Sequence, residues 1–247
     1  MFSILKAKEK VAILNTELQK KCKNLSLELG FHAEFKNRPN VSIYENMKNP
    51  QIILCLNLGM QCVSSIACKI TKKTRSMEIS SKTHESHEGK KYNTLMRAVI
   101  LLVASFIEYN VAKSAIKSSK SKSRGKNKTK KAMGKTKKTV NKIISRSINP
   151  ISTLLLVKYF NAHNDDFEEY LEENEIDKRK LTLEEVKEFQ QEVDTEDMTS
   201  SEELAFMENN DSYGEPLLLT VKLTDADTMK TIKDTFDSTL SKVVCPS

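Results

Sequence analysis

Apolar residues recur along the chain at two spacings, and the change from one to the other marks its central elements. Between Ser76 and Lys82, Met77 and Ile79 alternate with Glu78, Ser80 and Lys82, the period of a strand with one covered face. From Tyr92 the spacing becomes helical through Leu95, Met96, Val99, Leu102, Val103 and Phe106. Ile100, Leu101 and Ile107 add apolar surface on the other sides, so this helix is predicted to be covered almost all round. The connection, His84 to Lys91, is polar and contains Gly89. A strand leading through such a loop into a buried helix is an arrangement that offers free backbone N–H groups and a positive dipole end to a phosphate.

The remaining pattern places further elements on either side. Phe2 to Leu29, with Ile4, Val11, Ile13, Leu14, Leu18, Leu25 and Leu29, is expected to form one or two amphipathic helices stopped by Gly30. Val41 to Tyr44 is a short strand candidate, and Gln51–Leu58 and Gln61–Ile70 read as a hairpin turning near Gly59 and running on into the strand at Ser76. Val140 to Ile148 is the next strand. Asn149-Pro150 then supplies a helix cap followed by a first-turn proline, and Ile151, Leu154, Leu155 and Tyr159 form the expected buried stripe of a helix ending near Asn164. Pro216 to Leu223 is a strand, and Thr224 to Asp227 caps a last helix carrying Met229, Ile232, Phe236 and Leu240. Strands and helices mixed in this order predict one α/β domain of the α+β kind over residues 1–247.

Two segments interrupt that domain. Residues 112–139 hold twelve Lys or Arg side chains and no acid, with too little apolar surface to fold, and are expected to be a disordered basic insertion. Residues 165–215 are acidic and polar, and capping boxes at Thr182–Glu185 and Ser200–Glu203 signal two short helices in a segment expected to be partly ordered at most. The charge follows this division. Of the 33 acids, 24 lie after residue 164 with only 8 of the 40 bases, leaving −16 there and +23 before it, although the whole chain carries +7. Lys113 to Lys138 is therefore a candidate surface for nucleic acid, through non-specific phosphate contacts, or for the chain's own acidic half.

The five cysteines, Cys22, Cys55, Cys62, Cys68 and Cys245, make no C-x-x-C pair and no zinc spacing. Reduced thiols in an intracellular protein, cytoplasmic or nuclear, are expected, with no metal site. The longest apolar run, Ala98 to Ile107, is half of the ~20 residues that a membrane span needs, and Met1 to Gly30 mixes Lys and Glu in a way no signal peptide does.

The segments EGKKYNTLM and SINPISTLLLVKYF, in this order of elements, resemble the GNAT acyltransferase superfamily over roughly residues 41–164 plus the strand at Pro216. The resemblance implies a mixed, mostly antiparallel central sheet flanked by helices, with acetyl-CoA bound where two central strands splay. The pattern is also similar to that of GNAT-like proteins of large DNA viruses, which would place the chain in a host cell or a virion. The family's R/Q-x-x-G/A-x-G/A loop falls on Glu88, Gly89, Lys90, Lys91, Tyr92 and Asn93. Gly89 and the following Tyr-Asn-Thr-Leu-Met fit its register, whereas Lys91 and Asn93 stand where the family has small residues and Glu88 where it has a basic or amide one. The likeness assigns CoA binding to Glu88, Gly89, Lys90, Lys91, Tyr92, Asn93, Thr94 and Asn149.

For the chemistry, the family's general-acid tyrosine lies about seven residues after the asparagine, where this chain has Leu156; Tyr159 is the phenol nearest that position. Phe160-Asn161 replaces the usual Gly-Phe. A base for an amine acceptor is sought in Glu78 on the strand, or in His84 or His87 of the loop. The resemblance thus implies N-acetylation of an unknown amine. A non-catalytic relative keeping the fold as a binding module, with polyanion binding through its lysines, is the rival.

Overall fold

The computed structural model describes residues 2–35, 47–112, 135–147, 149–195 and 217–246. A six-stranded sheet runs in the order β2 (Leu25–Phe35), β3 (Met47–Leu58), β4 (Gln61–Thr71), β5 (Ser76–Thr83), β8 (Lys142–Ser147), β9 (Leu217–Lys222). All neighbours are antiparallel except β5 and β8, which are parallel. The expected α+β architecture, a mostly antiparallel sheet with flanking helices, is therefore what the chain adopts. A smaller sheet joins β1 (Phe2–Ser3), β6 (Glu108–Ala112) and β7 (Lys135–Thr139).

The sheet is built from the alternation that the sequence carries. In β5, Met77 and Ile79 are buried while Glu78 faces partly outward. The β3–β4 hairpin turns at Gly59, whose φ of 59° is left-handed, and the next residue, Met60, stands fully in solvent. The first 30 residues differ from expectation. Helix α1 (Leu5–Lys21) ends at Lys21, and Leu25, Leu27 and Leu29 are the buried alternate positions of β2, so Gly30 lies within a strand rather than stopping a helix.

Helix α2 (Tyr92–Ala104) lies against this sheet and also touches α1 and the last helix, α6 (Ala226–Lys242). It is enclosed as predicted: Leu95, Met96, Val99, Ile100, Leu101 and Val103 are all fully buried. Burying such side chains is worth about 1.5–3 kcal/mol each, so α2 anchors the core. Thr235 of α6 donates to the Tyr159 carbonyl at 2.7 Å, and the N-cap is Asp225, which accepts from the Thr228 amide at 2.7 Å, one residue later than the expected box from Thr224 to Asp227.

The basic insertion needs correction at its edges. Residues 112 and 135–139 are not disordered but paired, with Ala112 opposite Lys135 and Glu108 opposite Thr139, while 113–134 lie outside the described residues. Of the acidic segment, residues 165–195 are described and 196–215 lie outside the described residues. Helices α4 (Asp165–Glu173) and α5 (Leu183–Thr195) bury Phe167, Leu171, Val186 and Phe189, with the Phe167 and Phe189 rings 4.6 Å apart. The capping box at Thr182 forms: its amide donates to Glu185 at 2.6 Å and the Glu185 amide donates back to its hydroxyl at 3.3 Å. The expected cap at Ser200–Glu203 and the strand at Val41–Tyr44 lie outside the described residues.

The cysteine expectation is overturned for two residues. Cys22, just past α1, is disulfide-bonded to Cys245, across 223 residues of sequence. Cys55, Cys62 and Cys68 are free thiols. Among the described residues no helix is long and apolar enough to cross a membrane, and no group of acids, histidines and cysteines is placed to hold a metal ion.

Candidate functional site

The parallel pair β5–β8 stays in register only from Ser76 opposite Lys142 to Ile79 opposite Ser145. Beyond that point the strands part. Ser80 to Thr83 keep their pairing with β4, and Arg146 and Ser147 keep theirs with β9, so each strand has one satisfied edge and one edge facing the gap. Two clefts open at this parting. One, of about 500 Å³, is walled by the loop before α2 and by Asn149, Ile151, Ser152, Leu155 and Tyr159. The other, of about 530 Å³, is walled by β4, β5 and β8. Asn93, Asn149 and Ser152 line both, so the clefts adjoin at the gap.

The loop reaches α2 through two left-handed residues, Gly89 at φ 73° and Lys91 at φ 65°. Gly89 takes that conformation without cost, and no atom stands within 4 Å of the place its Cβ would occupy. Lys91 has a side chain and takes it as the N-cap of α2, at a steric cost of about 1 kcal/mol. The loop's amides divide sharply. Those of His87 and Glu88 donate to the carbonyls of His84 and Glu85, at 2.8 and 3.1 Å. Those of Gly89, Lys90, Lys91, Tyr92, Asn93 and Thr94 find no acceptor among the described residues, and the helical series begins with Leu95 donating to Lys91. Lys91 is exposed and points to solvent rather than filling the core.

Side chains set the loop in place. Lys90 Nζ lies 2.9 Å from His87 Nδ1, and the His87 ring stacks on Tyr92 with centroids 5.8 Å apart. Burial, then the Lys90 ammonium and His84, holds His87 below the usual imidazole range. Tyr92 is itself buried, and its hydroxyl donates to the Val244 carbonyl at 3.0 Å. Burial raises that phenol above its ordinary value. Of the histidines offered as bases, His84 is committed to Ser86 at 2.8 Å.

The second wall departs from expectation in a useful direction. Asn149 caps α3 (Pro150–Leu154), accepting from the Ile151 amide at 2.8 Å, as predicted. The helix then widens into a π turn over Leu155–Tyr159. Of the stripe expected to be buried, Leu154 and Leu155 are half-buried against the core, whereas Ile151 is 63% exposed and Tyr159 48%, and these two line the cleft with Leu155. The core takes Thr153, Leu156, Val157 and Phe160 instead. Leu156, at the resemblance's tyrosine position, is therefore sealed inside. The wider turn keeps Tyr159 on the face of Ile151 and Leu155, which is how a residue three places later comes to the cleft wall.

Glu78 lies on the wall of the second cleft, 3.1 Å from the guanidinium of Arg146 on the neighbouring strand. An incoming amine would have to compete with that ion pair for the carboxylate.

One residue of this site escapes the sequence reading. Arg97, one turn after Asn93 on α2, is the only charged side chain among the buried residues described, at 6% exposure. It donates to Asn93 Oδ1 at 3.2 Å, to Ser81 Oγ on β5 at 2.8 Å and to Ser145 Oγ on β8 at 3.4 Å, crossing the gap between the parted strands. Burial pulls its pKa down to about 10. No carboxylate among the described residues pairs with it. A single base inside the run YNTLMRAVILLVA is the signal that marks it.

A scan against profiles of known protein families matches none, and no curated protein matches the chain.

Proposed function

We propose that this chain is a divergent GNAT-type protein that binds a CoA thioester and transfers its acyl group to an amine. The observation that supports this most is the conjunction of a helix start bearing six backbone N–H groups without an acceptor among the described residues and the gap between β5 and β8 beside it. Glu88, Gly89, Lys90, Lys91, Tyr92, Asn93 and Thr94 suit a diphosphate, with the backbone supplying donors and Lys90 and Lys91 supplying charge. The facing strand edges suit an extended chain that carries amides of its own. Asn149 borders both clefts, on the path between diphosphate and thioester.

In this reading the amine nitrogen attacks the thioester carbonyl, the C–S bond breaks, and the thiolate takes a proton from the Tyr159 phenol. Glu78 accepts the amine proton once the acceptor displaces Arg146 from it. Holding the two reactants together supplies much of the rate. An intracellular setting, cytoplasmic or nuclear, rests on the three free thiols Cys55, Cys62 and Cys68, and the Cys22–Cys245 bond stands against it.

A non-catalytic CoA-binding or structural role is the second reading, and it has its own support: Leu156 sits buried where the family has its acid, and Glu78 is already paired. The twelve bases between residues 112 and 139 add a possible contact with nucleic acid to either reading. The deciding experiment is titration calorimetry and thermal shift with acetyl-CoA. Ligand at a hundredfold excess over Kd adds about 2.7 kcal/mol to stability. A melting curve unmoved by millimolar acetyl-CoA removes the proposal, whereas binding without turnover on an amine panel selects the second reading.

A further inference from the structure

We infer that the cleft between β5 and β8 recognises a carboxylate at the reactive end of the bound substrates, and that Arg97 is the residue that receives it. The inference deepens the proposed acyl-transfer reading and rests on it for the direction in which a CoA thioester lies.

The argument begins with a charge that the fold leaves unbalanced. A guanidinium has five N–H donors in a planar fork, and Arg97 spends three of them on neutral oxygens, those of Asn93, Ser81 and Ser145. Taking a charge out of water is costly unless an opposite charge comes with it. Here 94% of the residue is removed from solvent and no carboxylate accompanies it among the described residues, although 33 acids are present in the chain. Ser81 and Ser145 hold the group from opposite strands, so it is fixed across the gap rather than free to reach solvent.

The surroundings select the sign and the class of ligand. Arg97 lines the 530 Å³ cleft together with Lys69, Arg146 and Glu78, three bases against one acid. A hydrophobic acyl chain or a cationic acceptor would leave that excess uncompensated, and a carboxylate would meet a planar, preorganised fork. Arg97 lies one helical turn beyond Asn93, which lines both clefts, and itself lines the cleft that the loop before α2 does not, where the thioester end of the donor would arrive. The carboxylate can belong to the acyl group, as in a dicarboxylic acyl-CoA, or to the acceptor, as in a free amino acid.

Calorimetry separates the two sources. Wild-type protein is titrated with CoA, acetyl-CoA and succinyl-CoA, and then, with and without CoA, with succinate and L-glutamate. If the acyl group carries the carboxylate, succinyl-CoA binds at least tenfold more tightly than acetyl-CoA, and Arg97→Gln removes the preference between the two thioesters. If the acceptor carries it, the two thioesters bind alike and glutamate binds the CoA-loaded protein in an Arg97-dependent way. Arg97→Lys, which keeps the charge but not the fork, should retain part of either effect, and the wild-type comparison stands even if both variants fold poorly. CoA binding with no advantage for any carboxylate overturns the inference and leaves the acyl-transfer reading intact. Absence of CoA binding overturns that reading, and the succinate and glutamate titrations then decide the carboxylate site alone.

Discussion

The Tyr92 hydroxyl holds the Val244 carbonyl at 3.0 Å, and the next residue, Cys245, is bonded to Cys22. The first residue of α2 is thereby tied to the segment that follows α6, and that segment is tied to the end of α1. The crosslink encloses most of the chain, so its chief effect is on the unfolded ensemble. Reduction, or Cys245→Ser, should lower stability by about 2–4 kcal/mol in urea titration. It should also weaken acetyl-CoA binding several-fold through the loosened Tyr92 contact. Superimposable urea curves with and without reductant would show that the bond contributes nothing.

Lys91 occupies a conformation that suits glycine. Lys91→Gly should relieve about 1 kcal/mol of backbone strain, offset in part by greater freedom in the unfolded chain. Thermal melts should therefore show an equal or higher midpoint, and calorimetry an acetyl-CoA affinity reduced at most by the loss of one charge. Gly89→Ala tests the converse at φ 73°, where the open space around the Cβ position leaves backbone strain as the only penalty. A clear drop in stability for Lys91→Gly would contradict the strain argument.

The depressed pKa of His87 gives a pH signature. Between that depressed value and about 6.5 the unfolded chain holds more protons on this residue than the folded one. Its contribution to stability is thus intact above about 6.5 and declines as pH falls through that range. A diphosphate in the loop reverses the bias, because an anion beside the ring favours the imidazolium. Binding of 3′-dephospho-CoA, which lacks the terminal monoester that would itself titrate, should take up protons at pH 6 and tighten as pH falls from 7.5. Heats at pH 6 that do not depend on buffer ionisation would refute the coupling, and His87→Gln should abolish it.

Ala112 and Lys135 are cross-strand partners, so a two-residue Asn-Gly turn can join β6 to β7 directly. Replacing 113–134 in this way deletes nine bases. Stability should change by no more than about 0.5 kcal/mol. If the lysines bind polyanions, affinity for single-stranded and duplex nucleic acid should fall at least tenfold, and the slope of log K against log salt should flatten. Unchanged affinity would exclude the segment as the contact.

Legibility differed from element to element for physical reasons. The β3–β4 hairpin, the enclosed α2 and the caps at Asn149 and Thr182 can be read directly, because each depends on neighbours in sequence. Leu25 and Leu29 misled because a separation of four suits both a helical face and two strand repeats; Leu27, between them, was the deciding residue. The stripe Ile151, Leu154, Leu155, Tyr159 is legible as an apolar face, but periodicity does not say that Ile151, Leu155 and Tyr159 line a cleft. Lys135 to Thr139 looked like loop because β7 is charged, and its order comes from pairing with a distant strand. Arg97 is a lone base in an apolar run that the sequence reading passes over, and only the approach of Ser81 and Ser145 from two strands turns it into a site.

The short parallel contact between Ser76–Ile79 and Lys142–Ser145 means that the large sheet is two pleated pieces sutured together. On one side lies a meander of four strands, each beside its predecessor; on the other lie two strands that return from elsewhere in the chain. A molecule lodged across the opening would be an additional stitch. Amide exchange at Ser80 to Thr83, held by β4 alone, should then slow on occupancy, while β3, already held by neighbours on both flanks, should exchange as before.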